Sequence, residues 1–242
     1  MRDLAPHTSR MTSPRELYVA PLGHRPYDEV LQLQRELARA RIAGELAQDL
    51  LLLVEHPPVI TLGRSAKERH LHLPRGALAA RGIEVHEVER GGDVTFHGPG
   101  QLVGYPIVDL RRHKRDLHWY LRQVEETLIR AIERYGISGE RNPSFTGVWC
   151  AGRKIASIGV HARDWVTWHG FALNVTTDLS FFDLIVPCGI QQVTMTSMER
   201  ELPGIAPPSL SEMGMAVAAA FADVFQLEPR DAGTATLALA AP

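Results

Sequence analysis

Apolar residues along this chain recur at two different periods, and the alternation between them predicts a mixed α/β fold. Glu16-Leu-Tyr-Val-Ala20 reads as a first strand. From Tyr27 to about Ala47, the residues Val30, Leu33, Leu37, Ala40 and Ile42 keep a roughly helical spacing. Asp49-Leu-Leu-Leu-Leu-Val-Glu55 is then continuously apolar and is stopped by His56-Pro57-Pro58, the pattern of a central strand buried on both faces. Val59 to Leu62 continues extended, and Gly63 to Arg69 is a polar loop. A short helix over Arg75 to Arg81 ends at Gly82, Ile83 to Val88 alternates as a half-buried strand, and Gln101 to Val108 forms another.

The longest amphipathic pattern runs through Leu117, Leu121, Val124, Leu128, Ile132 and Tyr135 and is closed by Gly136. Strands are expected at Gly147 to Cys150, Lys154 to His161 and Gly170 to Thr176, with a short helix opening at Asp178-Leu179-Ser180. A last helix spans Ser209 to about Phe225. No repeat, linker or shift of composition divides the chain. The expectation is one domain over residues 15–227, a mixed sheet with helices, and frayed tails at 1–14 and 228–242.

Composition narrows the classes of function. The 242 residues are 45% hydrophobic, ample for a packed core. The net charge of −2 gives no basic field for nucleic acid. No apolar run is long enough for a membrane helix, and Met1 to Pro14 lacks the apolar centre of a secretory signal. Two cysteines, Cys150 and Cys188, make no disulfide framework, so a reducing, cytoplasmic setting is expected. Eleven histidines occur without His-Glu-x-x-His or cysteine–histidine zinc spacing, so no metal site is predicted.

Three segments carry candidate chemistry. Pro187-Cys188-Gly189 sets a cysteine at a corner that is stiff on one side and permissive on the other. Lys154, 34 positions upstream, is one of only three lysines beside Lys67 and Lys114, in a chain whose cations are otherwise arginine. An amine that can lose its proton does what guanidinium cannot. The bland alternative is a buried small thiol and a solvated amine at a strand edge. The third segment, Arg90-Gly-Gly-Asp-Val-Thr-Phe-His-Gly-Pro-Gly-Gln101, holds four glycines between two expected strands, so its backbone comes close to a ligand or another strand. It is no P-loop, because no Gly-Lys-Ser/Thr follows, and Pro99 spoils a dinucleotide fingerprint.

Together these segments resemble the lipoyl(octanoyl) transferase family, from about Leu51 to Met198. Arg90 to Gln101 is similar to its first signature and Gly152-Arg-Lys-Ile-Ala-Ser-Ile-Gly159 to its second. The third is matched by His169-Gly-Phe-Ala-Leu-Asn-Val175 with Asp178-Leu179, Phe182, Ile185 and Pro187-Cys188-Gly189. The resemblance implies the fold of biotin and lipoate protein ligases, a largely antiparallel mixed sheet flanked by helices. It implies that Cys188 forms an acyl thioester and that Lys154 lowers the pKa of that thiol. It places an acyl-substrate site at Arg90, Gly91, Gly92, Asp93, Val94, Thr95, Phe96 and His97, at Ser157, Ile158 and Gly159, and at Gly170, Phe171 and Ala172.

The implied reaction carries an octanoyl group from acyl carrier protein to a lysine of apo lipoyl domains, those of 2-oxoacid dehydrogenase complexes and of the glycine cleavage H protein. It needs no cofactor and no ATP. Alternatives remain at this point: an ATP-dependent lipoate or biotin protein ligase, a cysteine thioesterase or amidohydrolase pairing Cys188 with His97 or His169, and a non-catalytic carrier-binding module. A separate expectation concerns Arg111-Arg112-His113-Lys114-Arg115, a cationic run suited to docking an acidic protein partner.

Overall fold

The apolar run at 49–55 lies inside an eight-stranded sheet, with six of its seven residues buried. The computed structural model describes residues 15–186 and 193–233. In chain order the elements are β1 (Glu16–His24), α1 (Tyr27–Ala43), β2 (Asp49–Glu55), β3 (Val59–Leu62), α2 (Arg75–Ala79) and β4 (Glu84–Glu87). Then come β5 (Val94–His97), β6 (Gln101–Ile107), α3 (Leu117–Glu133), β7 (Glu140–Arg141), β8 (Val148–Cys150) and β9 (Arg153–Arg163). β10 (Val166–Asn174), α4 (Met198–Glu201), α5 (Leu210–Phe225) and β11 (Glu228–Asp231) complete the order.

The large sheet runs β11-β1-β2-β6-β10-β9-β8-β7. Only β11–β1 and β1–β2 are parallel pairs, and the other neighbours are antiparallel. A second sheet, β4-β3-β5, carries the glycine-rich segment. Helices α3 and α5 pack on one face of the large sheet and α1 on the other, each closing its own apolar cluster. In α3 the residues Tyr120, Val124, Leu128 and Ile132 are fully buried, and each such side chain contributes about 1.5–3 kcal/mol of burial. The Asp116 side chain starts this helix by accepting the Trp119 N–H at 3.0 Å.

Two expectations are corrected. The glycine-rich segment is not loop throughout: Val94–His97 forms β5, antiparallel to β3 in the register Val59↔His97 and Leu62↔Val94. β-branched and aromatic residues there outweigh the flanking glycines. The described fold also extends past residue 227, because Glu228–Asp231 pairs with β1 from Glu16↔Glu228 to Val19↔Asp231. Backbone bonds make that strand, and its mostly exposed side chains leave no apolar alternation to read.

The cationic run is largely occupied within the chain. Arg111 donates to Asp109 Oδ1 at 2.8 Å and Oδ2 at 2.9 Å, His113 Nε2 lies 2.7 Å from Asp49 Oδ2, and Lys114 pairs with Asp116 at 3.0 Å. The Arg112 guanidinium donates to the Ala47 carbonyl. Beneath them buried Arg41 reaches Asp49 Oδ1 at 3.0 Å and Asp109 Oδ2 at 3.6 Å.

Candidate active site

The glycine-rich strand and the β9–β10 hairpin meet at a cavity of about 90 Å³. Antiparallel pairing sets Gly159 opposite Gly170, Ile158 opposite Phe171 and Ser157 opposite Ala172. All six of these residues line the cavity, as do Arg90, Gly92, Asp93, Val94, Thr95 and His97. The structure therefore brings together twelve of the fourteen residues that the family resemblance places in an acyl site. Phe96 is not among them. Its ring stacks on Phe181, with centroids 4.6 Å apart. Gly91 is also absent from the lining, and its N–H donates to the Val160 carbonyl at 2.8 Å.

Arg90 is a structural clamp at the cavity wall. It donates to the Thr61 carbonyl at 2.7 Å and hydroxyl at 2.8 Å. Gly159 is needed for this fit, since a Cβ there would lie 2.9 Å from the Gly91 carbonyl oxygen and 3.2 Å from Arg90 Cδ. Asp93 accepts the Val94 N–H and the His70 Nδ1–H, both at 2.7 Å. His70 in turn accepts the Val186 N–H on its carbonyl at 2.8 Å, which ties the glycine-rich strand to the last described residue before 187.

The cavity also holds polar groups that sequence reasoning did not assemble. Tyr27 from the first turn of α1 stacks on His97, and Tyr105 from β6 lies 2.9 Å from His56 Nε2. Gln101 donates its amide hydrogens to the Phe96 carbonyl and Asn174 Oδ1, so its oxygen accepts the Nδ1–H of His97 at 2.8 Å. Burial pushes the pKa of His97 down to about 3 and that of His56 down to about 4. Burial also pushes Tyr27 up to about 12 and lowers His169 from its ordinary value. His169 takes a left-handed backbone, φ 55°, and donates its N–H to Gln34 Oε1 at 2.9 Å. Neither of its ring nitrogens has a hydrogen-bond partner, the approach to Glu89 being 3.8 Å. Tyr27, Tyr105, His97 and His169 are thus held neutral by burial, an environment suited to an uncharged chain.

Lys154 sits on β9 three positions before Ser157 and is 2% exposed. Its ammonium lies 5.4 Å from the centroid of the Trp149 ring. Its N–H donates to the Thr194 carbonyl at 2.8 Å, and its carbonyl accepts the Thr196 N–H at 2.9 Å. The Thr196 carbonyl takes the Asn174 amide at 3.0 Å, which links this strand through Gln101 to His97. Cys188 lies outside the described residues. Cys150 is buried in the α3–α5 cluster, and burial pushes its thiol up to about 12. A second concavity of about 690 Å³, between α5 and the β1–β2–β11 edge, is lined by none of the signature residues.

This fold and these segments define a family. Residues 26–222 match the Lipoyl protein ligase A/B catalytic domain, and the chain belongs to that family. It is 48% identical over 206 residues to an octanoyltransferase of Nostoc punctiforme, covering 85% of this chain and 87% of that one. Among solved structures it is similar to a bi-partite lipoate protein ligase from Thermoplasma acidophilum, with TM-score 0.73, 14% identity and 93% and 91% of the two chains covered. A biotin protein ligase from Aquifex aeolicus superposes with TM-score 0.52 at 11% identity, over 87% of this chain and 70% of that one. The fold is the expected one, a mixed and mostly antiparallel sheet with flanking helices. No helix among the described residues is long and apolar enough to cross a membrane.

Proposed function

We propose that this acyltransferase moves an octanoyl group from acyl carrier protein to a lysine of a lipoyl domain, with Cys188 holding the acyl group between the two. The observation that carries this reading is the convergence of three signature segments on one cavity, with Lys154 on the same strand. The names of its relatives support octanoyl as the group moved. A lipoyl domain as acceptor fits the family, with 2-oxoacid dehydrogenase complexes and the glycine cleavage H protein as its sources.

The reading requires Cys188 as a thiolate and Lys154 as an ammonium in the resting enzyme. A free thiol of pKa about 8.5 is mostly protonated at neutral pH, and a neighbouring ammonium lowers it by one to two units, about 1.4–3 kcal/mol in favour of thiolate. The thiolate attacks the carrier thioester, the carrier sulfur leaves, and it takes the ammonium's proton. Lys154 is now neutral beside an acylated cysteine. The incoming amine attacks the thioester, gives its proton to Lys154 and expels the Cys188 thiolate, which restores the ion pair. Val94, Val103, Ile158, Phe171 and Ala172 give the chain apolar walls, and each buried methylene adds up to about 0.8 kcal/mol. A cysteine–histidine couple through His97 is disfavoured, because a base with pKa about 3 does not hold an amine's proton at neutral pH.

Intact-mass analysis after mixing with octanoyl carrier protein, then with an apo lipoyl domain and no ATP, tests the reading. The expected result is an adduct on Cys188 that passes to the domain, is lost in Cys188→Ser and persists in Cys150→Ala. A requirement for ATP would point to a ligase, release of free octanoate to a thioesterase, and an adduct on Cys150 would overturn the site assignment.

A further inference from the structure

Glu125 lies on the apolar stripe of α3, its side chain completely buried, and the reaction proposed above gives it no part. Its carboxylate meets Arg122 at 2.6 Å and Arg141 at 3.3 Å. Those two side chains remain 48% and 38% exposed, so pairing with them would not require a buried acid. The contact that does reach inward is to Gly147, whose N–H donates to Glu125 Oε1 at 3.1 Å.

Gly147 is the wall against which Lys154 rests. A Cβ at this position would stand 2.6 Å from Lys154 Cε, 3.3 Å from Nζ and 2.6 Å from the Ala156 carbonyl, and its φ of 137° is one that favours glycine. The Trp149 ring supplies another wall. A buried carboxylate, a glycine and an ammonium are therefore in sequence from α3 to β9.

We propose that Glu125 is a positioning residue for Lys154. Through Gly147 it fixes where the Lys154 side chain lies between turnovers. The proposal rests on the role given to Lys154 above. Arg122 on α3 and Arg141 on β7 oppose the field of Glu125, and Glu126 pairs with Arg141. Behind Lys154, the pair Arg153–Glu201 is internally compensated at 2.9 Å.

The chain has three lysines, so labelling the full-length protein with 13Cε-lysine gives three resonances, and loss of one in Lys154→Arg assigns it. Glu125→Gln keeps an oxygen for the Gly147 N–H but removes the charge. It is expected to leave the Lys154 resonance, like those of Lys67 and Lys114, where it stands in wild type. Glu125→Leu, which also removes the bond, is expected to shift the Lys154 resonance itself as the amine moves relative to the Trp149 ring. A Lys154 resonance equal to wild type in Glu125→Leu would overturn the proposal, as would an equal displacement in Glu125→Gln, and if Glu125→Leu does not fold, Glu125→Ala is read in its place. Because the readout is the amine, this outcome is separate from whether Lys154 serves the transfer reaction, which the half-reactions of Lys154→Arg address.

Discussion

At the Val166 end of β10, buried Arg41, Asp49 and Asp109 neutralise one another; at the Gly170–Ala172 end, buried histidines and tyrosines are held uncharged instead. Desolvation acts on both groups. For Asp49 burial alone would raise the pKa, but the His113 hydrogen bond, the Asp109 N–H and the Arg41 charge hold it below the usual carboxylate value. For His97 no counter-charge answers burial, and the ring gives up its proton. One end of the strand is closed by paired charges and the other leaves His169 nitrogens without partners. The first arrangement holds a fold together, while the second keeps unspent polarity where a substrate fits.

The largest expected effect breaks the cavity end chemically. Lys154→Arg keeps a positive charge but cannot act as base, so transfer to the lipoyl domain should fall about 10² to 10⁴-fold, and more than self-acylation does. Rapid-quench measurement of the two half-reactions checks this, and near-normal transfer would leave Lys154 as a charge only. At the other end, Arg41→Met removes the buried guanidinium shared by Asp49 and Asp109, leaving them His113 and Arg111. It should cost about 3–5 kcal/mol in urea unfolding while the folded fraction retains its turnover.

A third test compares the two ends by pH. His97 is neutral when folded, but its unfolded form takes a proton below about 6.5. Its contribution to stability is therefore complete above that pH and declines as pH falls towards 3, by about 1.4 kcal/mol per pH unit for one proton. Asp49 loses its contribution only at more acid pH, as the pH falls below the ordinary carboxylate value through its lowered folded one. His97→Gln should flatten the decline between pH 6.5 and 4 in a series of urea titrations, and an unchanged slope would show that His97 is not buried neutral. The smallest effect is expected from replacing Arg112 and Arg115 by glutamine. With most of the run engaged within the chain, KM for the lipoyl domain should stay within about twofold, whereas a marked rise with a flatter salt dependence would restore docking to that surface.

Parts of this contrast are legible in the sequence because they rest on periodicity. The stripe of α3 and the unbroken run of β2 announce themselves by where apolar residues fall. The cavity's glycine-rich and hairpin segments were readable through their resemblance, since short motifs keep their spacing. The rest depends on contacts between distant residues. Tyr27, His56 and Tyr105 come from three elements with no local mark, and β11 is made by backbone bonds to a strand over two hundred residues earlier. Glu125 did leave a signal: an acid between Leu121 and Leu128, at i+4 and i−3, interrupts an otherwise apolar face.

β11 has a further consequence, for how the molecule behaves among its own copies. Without it β1 would be the outermost strand, offering unpaired backbone groups along Leu17, Tyr18 and Val19 to any neighbouring chain. With it, the rim of the sheet is Glu228-Pro229-Arg230-Asp231, where a proline lacks a donor and three charges resist the approach of another strand. Four residues that contribute little to the core thus act as a barrier to aggregation.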